Sequence, residues 1–235
     1  MLYEIEGIKI FIDENKLSPS DSSFGAKLSE RLKNGEWEAE EFEMLNTMPR
    51  DCVVLELGAC IGFISCATNR LLKNKQSHVV VEANTNLIEI LENNRAINDA
   101  KFTIQNCIVS DEKHDIDFHV DKRSILGSST EIEKNRVYET LKVQTKTIEE
   151  LENELDLKFD ALICDIEGGE YKLFSSLAMK EKIKSLRFIS IEFHWNVPNS
   201  REMCNEIISL IEKEGFNVRT FMAKTGQKQL FATKQ

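Results

Sequence analysis

The chain has 235 residues, 41% of them hydrophobic, and a formal net charge of −10, enough to bury one sizeable core and, for an α/β pattern of this length, to make one domain. Such an acidic balance argues against nucleic acid and anionic membrane as partners, because both are bound through a basic face. The start, MLYEIEGIKIFIDE, reads as neither signal peptide nor membrane span, and six cysteines (Cys52, Cys60, Cys66, Cys107, Cys164, Cys204) without a CxxC pair fit a cytoplasmic, reducing setting.

LYEIEGIKIFID alternates apolar and polar residues about Glu6 and Gly7, which predicts a β-hairpin. LSPSDSSFG reads as a loop. AKLSERLKNG and EWEAEEFEMLNTM are apolar at helical spacing, so residues 1–50 form a hairpin and a small helical cap ending before Pro49. From Cys52 strands alternate with helices. VVLEL, HVVVEA, FTIQNCIV, FDALICDI and RFISIEF are short, apolar and rich in β-branched residues, with helical stretches such as NLIEILENNRAIN and GEYKLFSSLAMKEKI between them. That rhythm predicts an α/β fold with a parallel sheet covered on both faces. Residues 114–147 interrupt it as a polar insertion with strand-like DIDFHV and LKVQTKT. Within it RSILGSSTEIEKNRVYE, carrying Arg123, Arg136 and Tyr138, is the expected substrate loop. FNVRTFMA and KQLFATK flank KTGQ as a closing antiparallel hairpin. The whole reads as a single domain over 1–235 without internal repeats.

In an open parallel sheet, ligands bind beyond the carboxyl ends of the strands. Acids stand at these ends: Glu56 in LELG, Glu82 in VEAN, Asp165 and Glu167 in CDIEGGE, and Glu192 in IEFH. The first strand, VVLELGACIGFISC, runs into a turn with Gly58 and Gly62, whose missing side chains let backbone approach a ligand. Its Gly-x-x-x-Gly spacing misses the GxGxxG dinucleotide fingerprint, while Glu82 stands near the spacing at which a second-strand acid meets a ribose. A pyrophosphate would be repelled by these carboxylates. S-Adenosylmethionine brings a ribose, an adenine and a sulfonium cation instead, and Glu56 is placed to attract its ammonium group.

VVLELGACIGFIS, VVVEANTNLIEILENNRAIN and FDALICDIEGGEYKLF, in that order, resemble FkbM-type class I methyltransferases over roughly residues 35–195. The most specific piece is D-[IV]-E-G-x-E, here Asp165-Ile166-Glu167-Gly168-Gly169-Glu170. The resemblance implies a Rossmann-like, seven-stranded, mostly parallel sheet and methyl transfer from S-adenosylmethionine, usually to a hydroxyl of a sugar, polyketide or other small metabolite. It implies that Gly58, Ala59, Cys60 and Gly62 line the methionine end, Glu82 and Ala83 the ribose, and Cys107 and Ile108 the adenine. Trp37 and Glu38 would close over the cofactor. Cys60 stands where the family usually has Asn, and Trp37 where it has Tyr.

Methyl transfer from a sulfonium is an in-line displacement in which positioning counts most, and a hydroxyl acceptor must also lose a proton. Asp165, Glu167 and His194 are the catalytic candidates. His194, in IEFHW, is the natural base at neutral pH, and Asp165 is the first choice for contact with both cofactor and reacting centre. Glu167 and Glu170 alternatively hold the first turn of the following helix. Asp165, Glu192, His194 and Asn196 offer hard-ion ligands, but no HxxxH or carboxylate doublet marks a metal site, so none is expected. Trp195 stacks on an acceptor ring or packs. Two alternatives stay open, a nicotinamide-dependent oxidoreductase on the same first strand and a non-catalytic adenosylmethionine or partner binder.

Overall fold

The structure, a computed structural model, describes residues 2–12, 30–35, 38–112, 114–121 and 138–234. Trp37 and the central part of the expected substrate loop, with Arg123 and Arg136, lie outside the described residues. The chain opens with a hairpin, β1 (Leu2–Ile5) paired antiparallel with β2 (Ile8–Phe11). Glu6 and Gly7 both have left-handed φ, 50° and 76°, as a two-residue turn between twisted strands requires. Of the two expected cap helices, residues 30–33 are helical, and α1 (Ala39–Met44) continues into a 3₁₀ turn over Leu45–Thr47.

The alternating region follows as β3 (Val54–Leu57), α2 (Phe63–Leu71), β4 (His78–Val81), α3 (Ile88–Ile97) and β5 (Thr103–Gln105). FTIQNCIV, expected as one strand, breaks after β5, and Ile108–Val109 forms β6. The insertion supplies an antiparallel hairpin, β7 (Ile116–Asp121) with β8 (Tyr138–Val143), and β9 (Thr145–Lys146) pairs with β6. Next come α4 (Ile148–Leu155), β10 (Ala161–Cys164), α5 (Glu170–Ser175) and α6 (Leu177–Ile183). Then β11 (Phe188–Phe193), α7 (Ser200–Lys213), β12 (Asn217–Met222) and β13 (Lys228–Thr233) complete the chain. A capping box starts α4: the Thr147 side chain accepts from Glu150 N–H at 3.0 Å, and the Glu150 carboxylate accepts from Thr147 N–H at 2.8 Å. GEYKLFSSLAMKEKI is two helices because Ser176 leaves helical geometry to cap the second, its hydroxyl accepting from Met179 N–H.

The main sheet has seven strands in the order β12-β13-β11-β10-β3-β4-β5. The five from β11 to β5 are parallel, and β13 is antiparallel to both its neighbours. This is the Rossmann-like class I methyltransferase arrangement with its C-terminal antiparallel hairpin. The chain winds outward from β3 through β4 to β5, then returns to build β10 on the other side. The switch point therefore lies between β3 and β10, where such sheets open a crevice. Side chains alternate through the sheet into two cores: Val54, Val80 and Ile163 face one, and Leu55, Leu57, Val81 and Leu162 the other.

The N-terminal hairpin docks through two asparagines, Asn94 in α3 and Asn98 at its C-terminal end. Asn94 accepts from Phe11 N–H at 2.6 Å and donates to the Phe11 and Ile61 carbonyls at 3.1 and 2.8 Å. Asn98, one turn on, accepts from Lys9 N–H at 2.9 Å and donates to the Lys9 carbonyl. The side-chain amides thus satisfy the outer edge of β2 as another strand would, and Asn94 is fully buried. Replacing Asn94 by Ala orphans these groups, at about 1–3 kcal/mol for a buried unsatisfied group. Urea denaturation of Asn94→Ala should show that loss, and hydrogen exchange should show the Phe11 amide losing its protection.

Candidate active site

After β3 the chain turns under tight constraint. Gly58 and Ala59 N–H groups both donate to the Val81 carbonyl, at 3.0 and 3.2 Å. A Cβ at Gly58 would lie 1.6 Å from the Asp165 carbonyl oxygen, and one at Gly62 2.5 Å from Leu91 Cδ1, with φ +87° at both. The backbone of Asp165 therefore excludes a side chain at Gly58, which also lines the cavity below, and left-handed geometry favours glycine at both positions. Cys60, between them, is left-handed at φ 50° and donates its N–H to Glu82 Oε2 at 2.7 Å. Asn84 N–H donates to the other oxygen, Oε1, at 2.7 Å. Burial pushes the Glu82 carboxyl up to about 7, against the lowering effect of the Asn84, Cys60 and Ala83 amides.

A cavity of about 650 Å³ opens at this turn, within the range of small-molecule sites. Gly58, Cys60, Glu82, Ala83, Cys107 and Ile108 line one side, and Asp165 and Glu167 another. Ala59 and Gly62 sit behind the wall. Glu56 is a correction: it does not line the cavity. It is 1% exposed, accepts from the Ser65 hydroxyl on α2, and lies 3.0 Å from His78 Nε2. Strand alternation turns it to the face opposite Leu55 and Leu57, so it has no path to an ammonium group at the mouth.

Sequence reasoning missed the far half of the cavity. Asp111, Glu112, Asp115 and Asp117 line it, together with Lys142 from β8 and Lys172 from α5. The described flanks of the insertion thus face the cavity. Lys142 is paired with Asp117 at 2.6 Å and Lys172 with Glu112 at 2.8 Å. The wall therefore carries seven carboxylates against two lysines and His114, which favours a cation and repels phosphate.

The rim beside Asp165 is built around His194, which is 5% exposed. Glu170, fully buried in the first turn of α5, fixes it: one carboxylate oxygen accepts from His194 N–H at 2.8 Å and lies 3.3 Å from Nδ1. The other accepts from Gly168 N–H at 2.9 Å. On the far side of the ring, Nε2 lies 3.5 Å from both Asp165 Oδ1 and Glu167 Oε2, and 3.8 Å from Glu192 Oε1. Burial alone would lower the imidazole pKa; the Glu170 hydrogen bond and the Glu167 and Asp165 charges override it and push it up to about 10. A protonated imidazole has no lone pair to accept a further proton, so the expectation of His194 as general base is corrected. Burial, then the Glu192 charge, holds Asp165 well above the usual carboxylate range.

One side chain ties the N-terminal cap to this rim. Gln229 on β13 donates to Glu41 Oε1 at 2.7 Å and to Glu192. Burial and the charge of Glu38 hold Glu41 above its ordinary value, and the Glu38 charge also reaches Cys60 and Asp165. Trp195 packs: its indole N–H donates to the Gly226 carbonyl at 2.8 Å, and Arg201 covers its ring. Asn196 donates to the Glu167 carbonyl at 3.0 Å, holding the loop.

Solved structures similar in fold include an FkbM methyltransferase from Methylobacillus flagellatus KT (14% identity, 93% of this chain and 56% of that one, TM-score 0.53). An O-methyltransferase from Bacillus cereus in complex with SAH aligns over 94% of each chain at 12% identity and TM-score 0.51. An rRNA methylase from Streptococcus thermophilus aligns over 83% of this chain and 94% of that one at 9% identity and TM-score 0.50, so the fold leaves the acceptor open. No curated protein matches significantly. The methyltransferase FkbM domain pattern matches residues 56–218, spanning the turn, the Glu82 strand end and the Asp165–His194 rim, and the chain belongs to that methyltransferase family.

Proposed function

We propose that the protein transfers a methyl group from S-adenosylmethionine to a hydroxyl of an uncharged small metabolite, such as a sugar or polyketide, in the cytoplasm. The observation that carries this reading is the Glu82 carboxylate on the cavity wall, locked by the Cys60 and Asn84 amides. Each oxygen retains acceptor capacity for a ribose hydroxyl. Ala83, Cys107 and Ile108 offer an apolar wall for the adenine beside it. Bound S-adenosylmethionine supplies an electrophilic methyl on a cationic sulfur.

The protein's part is positioning and charge. The acidic wall stabilises a sulfonium and disfavours phosphate-bearing acceptors, which supports a small neutral acceptor over nucleic acid and counts against a nicotinamide dinucleotide. Asp165 ends β10 against Gly58. Its Oδ1 is buried without a hydrogen bond, while the side chain as a whole is 38% exposed towards the cavity. The cavity-facing part of this carboxylate takes the acceptor proton.

Two measurements test the reading. Ribose hydroxyls donate to the ionised carboxylate, so binding prefers deprotonated Glu82, which titrates near 7. Calorimetric affinity for adenosylhomocysteine should rise roughly tenfold between pH 6 and pH 8. Glu82→Gln should bind about 1–3 kcal/mol more weakly at pH 8 and lose that dependence. A flat wild-type profile with unchanged Glu82→Gln affinity would remove the ribose role.

Turnover on a panel of hydroxylated metabolites separates an enzyme from a silent binder. On any acceptor found, Asp165→Asn should lower kcat by about 10²–10⁴ while adenosylhomocysteine affinity stays within a few-fold. Full activity in that variant would assign the proton elsewhere.

A further inference from the structure

We infer that Asp165, Glu167 and His194 form a binding site for one divalent metal ion of the Mn²⁺ or Zn²⁺ kind. Spacing carries the argument. His194 Nε2 stands 3.5 Å from Asp165 Oδ1 and 3.5 Å from Glu167 Oε2. A hydrogen-bonded ion pair would draw in to roughly 2.7–2.9 Å. Two ligands held about 2.1 Å from one ion at a tetrahedral angle lie about 3.4 Å apart. All three donor atoms fall within 4.8 Å of one another, and among the described residues this trio is the one His/Cys/Asp/Glu group that meets that geometry. Glu192 Oε1, at 3.8 Å from Nε2, is in reach as a fourth ligand.

Independent observations point the same way. His194 is more than nine-tenths buried, and Nε2 is aimed into the gap between two carboxylates at 3.5 Å from each, longer than a close charged hydrogen bond. Asp165 Oδ1, across that gap, is buried and has no hydrogen-bond partner. Glu170 holds Nδ1, the arrangement in which a carboxylate orients a metal-ligating histidine through its second nitrogen. Among the described residues no lysine or arginine pairs with Asp165, Glu170 or Glu192, which turn towards the imidazole. One imidazole with two or three carboxylates suits Mn²⁺ or Zn²⁺ better than Mg²⁺, which keeps to oxygen. The sequence carries no spacing signal because the ligands come from the ends of β10 and β11, which meet only in the sheet.

The role of the ion rests on the proposed function. Lying on the cavity wall, it takes the acceptor hydroxyl as a further ligand and lowers its pKa. The hydroxyl proton passes to the cavity-facing part of Asp165, the oxygen bonds to the methyl carbon, and the carbon–sulfur bond breaks to leave a neutral thioether. The ion takes the place of the Nε2 proton, which leaves to solvent, so His194 serves as a ligand and not as the base.

Titration of the metal-stripped protein with Mn²⁺ alone, followed by loss of the free-ion resonance signal, and with Zn²⁺ alone by calorimetry, tests the site. One ion per chain is expected, with affinity falling roughly tenfold or more in both Asp165→Asn and Glu167→Gln. Glu167 is partly exposed on a loop, so its variant keeps the fold and the comparison stays meaningful. Failure of the wild type to bind either ion stoichiometrically, or unchanged affinity in both variants, overturns the site. Adenosylhomocysteine is titrated into the same samples. Its binding by a chain that takes no ion sinks the metal alone; ion binding without it keeps the site and sinks the cofactor reading.

Discussion

The close passage of β3 against β10 governs the rest of this structure. Asp165 N–H donates to the Leu57 carbonyl at 2.9 Å, and the Asp165 carbonyl oxygen sits where a Gly58 Cβ would be. Only a glycine in left-handed geometry lets the strand ends run this close. Because they do, the turn after β3 and the D-I-E-G-G-E loop after β10 share one cavity. The amides of Gly58 and Ala59 are held by Val81 on the other neighbour, β4, so three strand ends are fixed relative to one another by backbone alone. Catalysis by positioning needs that stiffness.

Electrostatics on this frame are costly and directed. Glu82, Asp165 and Glu41 are carboxyl groups held at or beneath the protein surface, where burial disfavours ionisation, and Glu170 is fully buried beside them. The chain compensates differently at each. Backbone amides hold Glu82; the His194 backbone and ring, with Gly168, hold Glu170; an amide side chain, Gln229, bridges Glu41 to Glu192. Asp165 alone has a buried oxygen without a hydrogen bond, at the point where the cavity meets His194. Left-handed backbone also occurs here. Glu38, Cys60 and Glu167 are non-glycine residues with φ of 49–53°, as are Glu6, Asp99 and Asp156 at turns and helix ends elsewhere, a conformation that costs a residue with a side chain some free energy.

The strands and both hairpins were legible in the sequence because their signals are local: apolar runs with β-branched residues, and Glu6-Gly7 or KTGQ between alternating segments. Glu82 and the 165–170 stretch were legible because a strand end fixes where a residue goes. What failed needed the third dimension. Glu56 sits one residue before Leu57 at a strand end, but both faces of a parallel sheet are buried, and only Ser65 and His78 across the sheet reveal which face it takes. His194 read as a base because a histidine titrates near neutrality alone; its environment comes from residues 24–29 positions upstream. Ser176 was hidden inside an apolar periodicity that continues in phase on both sides of the break.

The cavity divides its work along the same line. Its cofactor side is made of sheet ends and their first turns, where backbone hydrogen bonds set each position. Its far side is made of the β7–β8 hairpin and the segment before it, joined to α5 by the Lys172–Glu112 pair at 2.8 Å. That pair is exposed, and exposed pairs contribute little to stability. The hairpin carries its own small core of Phe118, Val120 and Val143, packed against Ala83 and Ile108, which the cofactor side also uses. An insertion with its own core can change in sequence without disturbing β3, β4 and β10. Under the proposed function, the rigid end would fix what is transferred and the hairpin what receives it.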